Sequence, residues 1–105
     1  MDPIDASLRS LDDSLTRLAE RLRSTEGEAV RLFRARSGID EIQARLAAAR
    51  ANGDIGPGWG GGHVDGVNRA AMLVAAVRGE GGSAFDAAMK ATSETIAELD
   101  GAIPS

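Results

Sequence analysis

Large apolar residues recur along the first half of the chain at alternating spacings of four and three. The series begins at Ile4 and continues through five leucines: Leu8, Leu11, Leu15, Leu18 and Leu22. Residues at this spacing share one face of an α-helix and form the apolar seam of a coiled coil. Further apolar residues widen the stripe towards its end, at Val30, Phe33, Ile42 and Ala49. A wider stripe is typical of a helix that packs against more than one neighbour.

The ends of this helical segment carry recognisable signals. Asp2 and Pro3 suit the first turn of a helix, and Asn52-Gly53 suits a helix end. Two internal glycines and a capping-box pattern at residues 25–28 would also divide the segment into two or three helical pieces. Because the apolar register persists through these positions, the pattern favours one long helix over about residues 3–51.

The second half contains a glycine-rich segment and two shorter helical patterns. Residues 53–62 include six glycines and predict a loop. Apolar residues then predict helices over about 64–78 and 84–103, separated by a second glycine-rich break at 79–82. The last helix repeats the spacing of the first, at Phe85, Met89, Thr92, Ile96, Leu99 and Ile103.

These elements predict an all-α fold in a single domain, residues 1–105. The expected architecture is an antiparallel helical hairpin with a long N-terminal helix and a broken return arm. One hairpin buries a single seam, so we expect a second one to pack alongside and complete a four-helix bundle. The predicted dimer seam consists of Leu8, Leu11, Leu15, Leu18, Leu22, Phe85, Met89, Ile96 and Leu99.

The amino-acid composition excludes several fold and function classes. The chain has nineteen alanines, nine leucines and only three aromatic residues, which disfavours an all-β domain. It has no cysteine and one histidine, so neither a metal site nor a cofactor site is predicted. The longest apolar run, residues 70–77, is too short to span a bilayer, and no Sec-type signal peptide is recognisable. We therefore expect no membrane insertion.

Charge is distributed unevenly between the two halves. Residues 1–52 carry nine arginines and nine acidic residues, whereas residues 53–105 carry three basic and seven acidic residues. This balance does not predict a nucleic-acid partner, which requires a clustered positive face. The main basic cluster, Arg23, Arg31, Arg34 and Arg36, could meet phosphate, but the charge balance favours contact with the acidic second half of the chain or of a partner.

Three patterns could in principle carry chemistry, and each has a simpler explanation. Residues 56–61 match the letters G-x-G-x-x-G, but a dinucleotide site needs a preceding strand. His63 and Asp65 could form an acid–base pair, yet no nucleophile is nearby. Glu94 and Glu98 share a helix face and could bind a cation, although such pairs are usually solvated. The sequence therefore predicts no catalytic residues and no enzyme activity.

Trp59 is the residue most suggestive of recognition. It is the only tryptophan and lies among glycines in the predicted loop. Either it packs as a plug onto the ends of its own helices, or it anchors a partner, as exposed aromatic residues do in interfaces.

The sequence Trp59-Gly60-Gly61, set between helical arms in a chain of 105 residues without cysteine, resembles the WXG family of type VII secretion substrates. That resemblance implies a helical hairpin that pairs with itself or with a second helical-hairpin protein, with residues 59–61 as the interaction loop. It also implies export by a non-Sec route. The family's export signal contains a tyrosine, and this chain has none, so a partner would have to carry that signal. The alternative is a cytoplasmic helical adaptor, chaperone-like or immunity protein.

Overall fold

The computed structural model describes residues 2–23 and 25–104, and in these the regular structure is helical throughout. The helices are α1 (Pro3–Arg21), α2 (Glu26–Ala51), α3 (Val64–Ala76) and α4 (Ser83–Ala102), with a 3-10 turn at Gly61–His63 before α3. The all-α class predicted from the sequence is therefore confirmed.

The predicted continuous helix over residues 3–51 is wrong, because the chain turns between α1 and α2. At Leu22 the backbone becomes extended (φ −75°, ψ 125°), and the leucine side chain is buried. Thr25 then caps α2: its hydroxyl accepts a hydrogen bond from the Glu28 amide, and the Glu28 carboxylate accepts one from the Thr25 amide. The capping pattern in the sequence thus marks a true helix start.

The four helices form a bundle in which each packs against two others. The extensive contacts join α1 to α2 and α3, and α4 to α2 and α3, so the order around the bundle is α1, α2, α4, α3. The chain therefore forms two antiparallel hairpins, α1–α2 and α3–α4, which lie side by side in a body of 43 × 22 × 19 Å. The predicted bundle is present, but one chain supplies all four helices.

The predicted dimer seam lies inside this single-chain bundle. Leu8, Leu11, Leu15, Leu18 and Leu99 have no exposed surface, and Leu22, Phe85 and Met89 are also buried. Ile96 is half-buried against Gly38 of α2. Helices of the same chain cover these side chains, which corrects the assignment of this seam to contacts with a second copy. The buried seam therefore no longer supports the expected dimer, which stays a prediction.

Polar contacts fix the two ends of the bundle. At one end, the α1–α2 and α3–α4 turns meet: the Arg23 amide donates to the Gly79 carbonyl at 3.0 Å, and the Arg21 guanidinium donates to the Val77 carbonyl at 3.0 Å. At the other end, the Arg50 guanidinium lies 3.0 Å from an Asp2 carboxylate oxygen and 2.9 Å from one of Asp5. These contacts hold α2 antiparallel to α1.

Among the described residues, no helix is both long enough and apolar enough to cross a membrane.

Candidate interaction surface

The glycine-rich loop joins the two hairpins and carries Trp59. The Trp59 amide donates to the Gly56 carbonyl at 3.2 Å, forming a tight turn. The indole is half-buried against the core, and its ring centroid lies 6.1 Å from that of His63. In this structure Trp59 therefore has the position of a plug over the end of the bundle.

The two glycines after Trp59 have different surroundings. Gly60 has φ +91°, and a Cβ added there would lie 3.0 Å from Ile4 of α1. Gly61 starts the 3-10 turn, with open space where a side chain would project. The G-x-G-x-x-G letters lie between α2 and α3, where a helix and not a strand precedes them. This arrangement lacks the strand that a dinucleotide site requires.

His63 and Asp65 lie at the start of α3. His63 occupies the N-cap position and is half-buried, whereas Asp65 is exposed in the first turn. Glu94 and Glu98 line a groove between α3 and α4 together with Arg69 and Lys90, so cations of the chain itself already share this groove. Within residues 2–23 and 25–104, no group of three or more metal-ligating side chains converges.

Arginines of α2 do face the acidic second half. Arg31 forms an ion pair with Asp86 at 2.7 Å and lies over the Phe85 ring, 5.1 Å from its centroid. Arg45 forms an ion pair with Asp100. The predicted charge complementarity is thus confirmed for Arg31, and it joins α2 to α4.

The other predicted arginines have different neighbours. Arg34 lines the groove between α2 and α4, whereas Arg36 lies on the α1 side of α2. Arg23 belongs to the turn before α2 and is held through its backbone amide. The basic cluster is therefore divided among separate contacts.

Asp12 of α1 has a perturbed acidity. Burial raises the pKa of this carboxyl above its ordinary value of 3.8, and the nearby carboxylates of Asp40 and Asp13 raise it further. The Arg36 guanidinium acts in the opposite direction and lowers the pKa, but does not cancel the rise. Two acidic groups of facing helices therefore lie close enough to repel each other.

The outer face of α2 carries an apolar feature that the predicted site did not include. The side chain of Phe33 is 72% exposed and that of Val30 is 41% exposed, although both belong to a helix with a buried face of its own. Phe33 borders a small cavity between α1 and α2, lined also by Ala19, Leu32 and Arg36. The widened apolar stripe in the sequence was the available signal for this surface.

Met72 is the other large apolar side chain that is highly exposed among the described residues, at 73%. It borders a groove between α1 and α3 with Ser10, Ser14 and Asn68. These polar neighbours make the Met72 groove more hydrophilic than the surface around Phe33.

No family model matches this sequence, and no significantly similar curated protein or solved structure was found.

Proposed function

We propose that this protein acts by binding another helical protein chain and catalyses no reaction of its own. The observation that carries the proposal is the exposure of Phe33 beside Val30 on the outer face of α2. A phenylalanine is normally buried, and an exposed aromatic residue in an apolar patch is typical of an interface anchor. The partner is a second copy of this chain or a second helical-hairpin protein.

The test is photo-crosslinking in the cells that naturally make the protein. A photoreactive phenylalanine analogue replaces Phe33 in one variant and Met72 in a control variant, since both side chains are equally exposed. We expect position 33 to give discrete adducts with a protein chain, identified by mass spectrometry, and position 72 to give far fewer. No adduct from position 33, or equal adducts from both positions, would contradict the proposal.

The proposed absence of catalysis has its own test. His63 is the one histidine in the sequence, and general acid–base catalysis at neutral pH most often uses histidine. Its ring neighbours Trp59, and Asp65 close by is exposed. We expect His63→Ala to fold and bind its partner as the unchanged protein does. A turnover lost in this variant would overturn the non-catalytic proposal.

A second candidate function is export as a type VII secretion substrate or as the partner of one. The Trp59-Gly60-Gly61 sequence supports it, because it lies between two helices, α2 and α3, although the described residues fold as four helices and not as the single hairpin that the resemblance implies. Blotting of culture supernatants from strains with and without the membrane ATPase of such a system tests this proposal. We expect the protein in the supernatant only when the ATPase is present. Retention in the cell in both strains would favour the intracellular adaptor, chaperone-like or immunity alternative.

A further inference from the structure

The exposed face of α2 has a regular pattern of its own. Seven exposed residues repeat at alternating spacings of three and four on the side of the helix away from the core: Val30, Phe33, Ser37, Asp40, Ala44, Ala47 and Ala51. We call this set the outer stripe. The buried face of the same helix consists of Leu32, Ile39, Ile42, Leu46 and Ala49. The outer stripe has five apolar members with Ser37 and Asp40 at its centre, and a helix with apolar residues on two faces is typical of one that packs in two directions.

The outer stripe is asymmetric in side-chain size. Its N-terminal part carries the bulky residues Val30 and Phe33, and its C-terminal part carries the small residues Ala44, Ala47 and Ala51. If two such stripes pack antiparallel, centred between residues 38 and 39, Phe33 of one copy lies over Ala44 of the other. Val30 then lies over Ala47. Bulky side chains therefore fill the space that small ones leave, as close packing requires.

The charges in and beside the outer stripe have the same asymmetry. Arg34 and Arg36 lie beside the stripe before its centre, whereas Asp40 within the stripe and Glu41 beside it lie after the centre. In this register position 34 of one copy faces position 43 of the other, so Arg34 lies only about 3 Å along the helix axis from Glu41 of the other copy. Arg34 and Glu41 also lie on the same flank, since both line the groove towards α4. Flanking charges of opposite sign favour one orientation and partner over another.

Parallel packing of the same stripes would be unfavourable. It would place Phe33 against Phe33 and arginines against arginines, and would leave the alanine segments with no bulky side chain to fill the gap. Size and charge thus select the same antiparallel arrangement independently.

We propose that the outer stripe of α2 is the contact face of an antiparallel homodimer, in which the α2 helices of two copies pack against each other. The inference rests on the proposed function and names its partner as a second copy of this chain. A twofold axis crosses the interface near residues 38 and 39, so the same surface of each copy is used, as in most soluble dimers. A single pair of helices gives a small interface, and the dimer is therefore weak and reversible.

Cysteine crosslinking tests the register, because the chain has no cysteine of its own. Two single variants, Val30→Cys and Ala47→Cys, are oxidised separately and as a mixture. In the antiparallel dimer, residue 30 of one copy faces residue 47 of the other, while two copies of residue 30 lie about 25 Å apart along the helices at about 1.5 Å per residue. A disulfide requires Cα atoms within about 7 Å. We expect crosslinked dimer from the mixture and little from either variant alone.

Crosslinking of Val30→Cys with itself would overturn the antiparallel register, and absence of crosslinking in all three samples would overturn the dimer. Both substitutions leave Phe33 in place and lie on the exposed face, so circular dichroism should show an unchanged fold.

Sedimentation of the full chain, over about 1–500 µM as suits a weak interface, measures the association itself. We expect Phe33→Ser to weaken self-association about tenfold or more, as loss of an interface anchor does, and Met72→Ser to change it less than about twofold. A chain that stays monomeric at the highest concentration, while position 33 crosslinks to a different protein in cells, would overturn the homodimer and leave the proposed function standing. A dimer insensitive to Phe33→Ser would overturn the assignment of its contact face.

Reversing the charges of Arg34 and Glu41 provides a second test, in which self-association is again measured by sedimentation. Arg34→Glu places a carboxylate close to Glu41 of the other copy, on the same flank, and should weaken association. The double variant Arg34→Glu, Glu41→Arg restores opposite charges across the interface and should recover it. If the double variant associates no better than the single one, the proposed charge pairing is wrong.

Discussion

Gly60 brings the loop backbone against the first turn of α1. Its φ of +91° is one that side-chain-bearing residues rarely adopt, and Ile4 occupies the space where a Cβ would project. The neighbouring Gly61 has neither restriction. The interaction loop inferred from the sequence therefore contains one glycine required for packing and one that is not.

We expect Gly60→Ala to destabilise the fold by about 1–3 kcal/mol, because it combines backbone strain with a steric contact. Gly61→Ala is the matched control and should change the free energy of unfolding by less than about 0.5 kcal/mol. Urea denaturation of the two variants measures the difference. Equal stability of both variants would show that the loop does not require a glycine against Ile4.

Asp12 gives the fold a pH dependence whose direction follows from its raised pKa. A carboxyl with a higher pKa in the folded state binds its proton more tightly there, so its ionisation favours unfolding. The resulting loss of stability develops as the pH rises from the unfolded-state value of about 3.9 through the raised folded-state pKa.

We expect Asp12→Asn to raise the melting temperature at pH 7, and this gain to shrink towards zero as the pH falls below about 3.9. Asp13→Asn, an exposed neighbour on the same helix, is the control and should show a smaller gain. Thermal unfolding followed by circular dichroism across this pH range provides the measurement. A gain that stayed constant with pH would exclude ionisation of Asp12 as its cause.

At the scale of the elements, the turn between α1 and α2 decides the fold. The reciprocal hydrogen bonds of Thr25 and Glu28 satisfy amide groups that the start of α2 would otherwise leave unpaired. We expect Thr25→Ala to destabilise the protein by about 1 kcal/mol. Thr25→Ser keeps a hydroxyl at the N-cap and should recover most of that loss in urea denaturation. Equal losses in the two variants would exclude the hydroxyl as the stabilising group.

The sequence contains the capping pattern of this turn, but that pattern alone does not establish that the helix ends there. Leu22 and Leu32 keep the apolar register on both sides of the turn, and both are buried. A periodic stripe records only which face of a helix is covered, and it is the same whether the covering helix belongs to the same chain or to another. The helical class, the glycine loop, α3 and α4 were therefore predictable from local pattern, whereas the division of residues 3–51 into α1 and α2 and the folding of α2 back onto α1 depend on the packing of distant residues.

The surface around Phe33 was only partly predictable for a related reason. Val30 and Phe33 widen the apolar stripe in the sequence, but a wide stripe does not distinguish a buried residue from an exposed one. Only the observed positions of α1 and α4 show that these two side chains remain outside. Trp59, the residue that composition favours for recognition, instead packs half-buried against the core.

At the scale of the whole molecule, the single-chain bundle separates folding from association. Leu15 has no exposed surface within one chain, so its contribution to stability should not depend on a second copy. We expect Leu15→Ala to destabilise the protein by about 2–5 kcal/mol through the cavity it creates. The loss should be the same at low and high protein concentration, provided both are too low for self-association.

Phe33→Ser should leave the urea midpoint of the dilute protein nearly unchanged, because the side chain is already exposed. If dilution over the same range shifted the midpoint of the unchanged protein, its helices would depend on a second chain, and the single-chain bundle would not be its folded unit in solution.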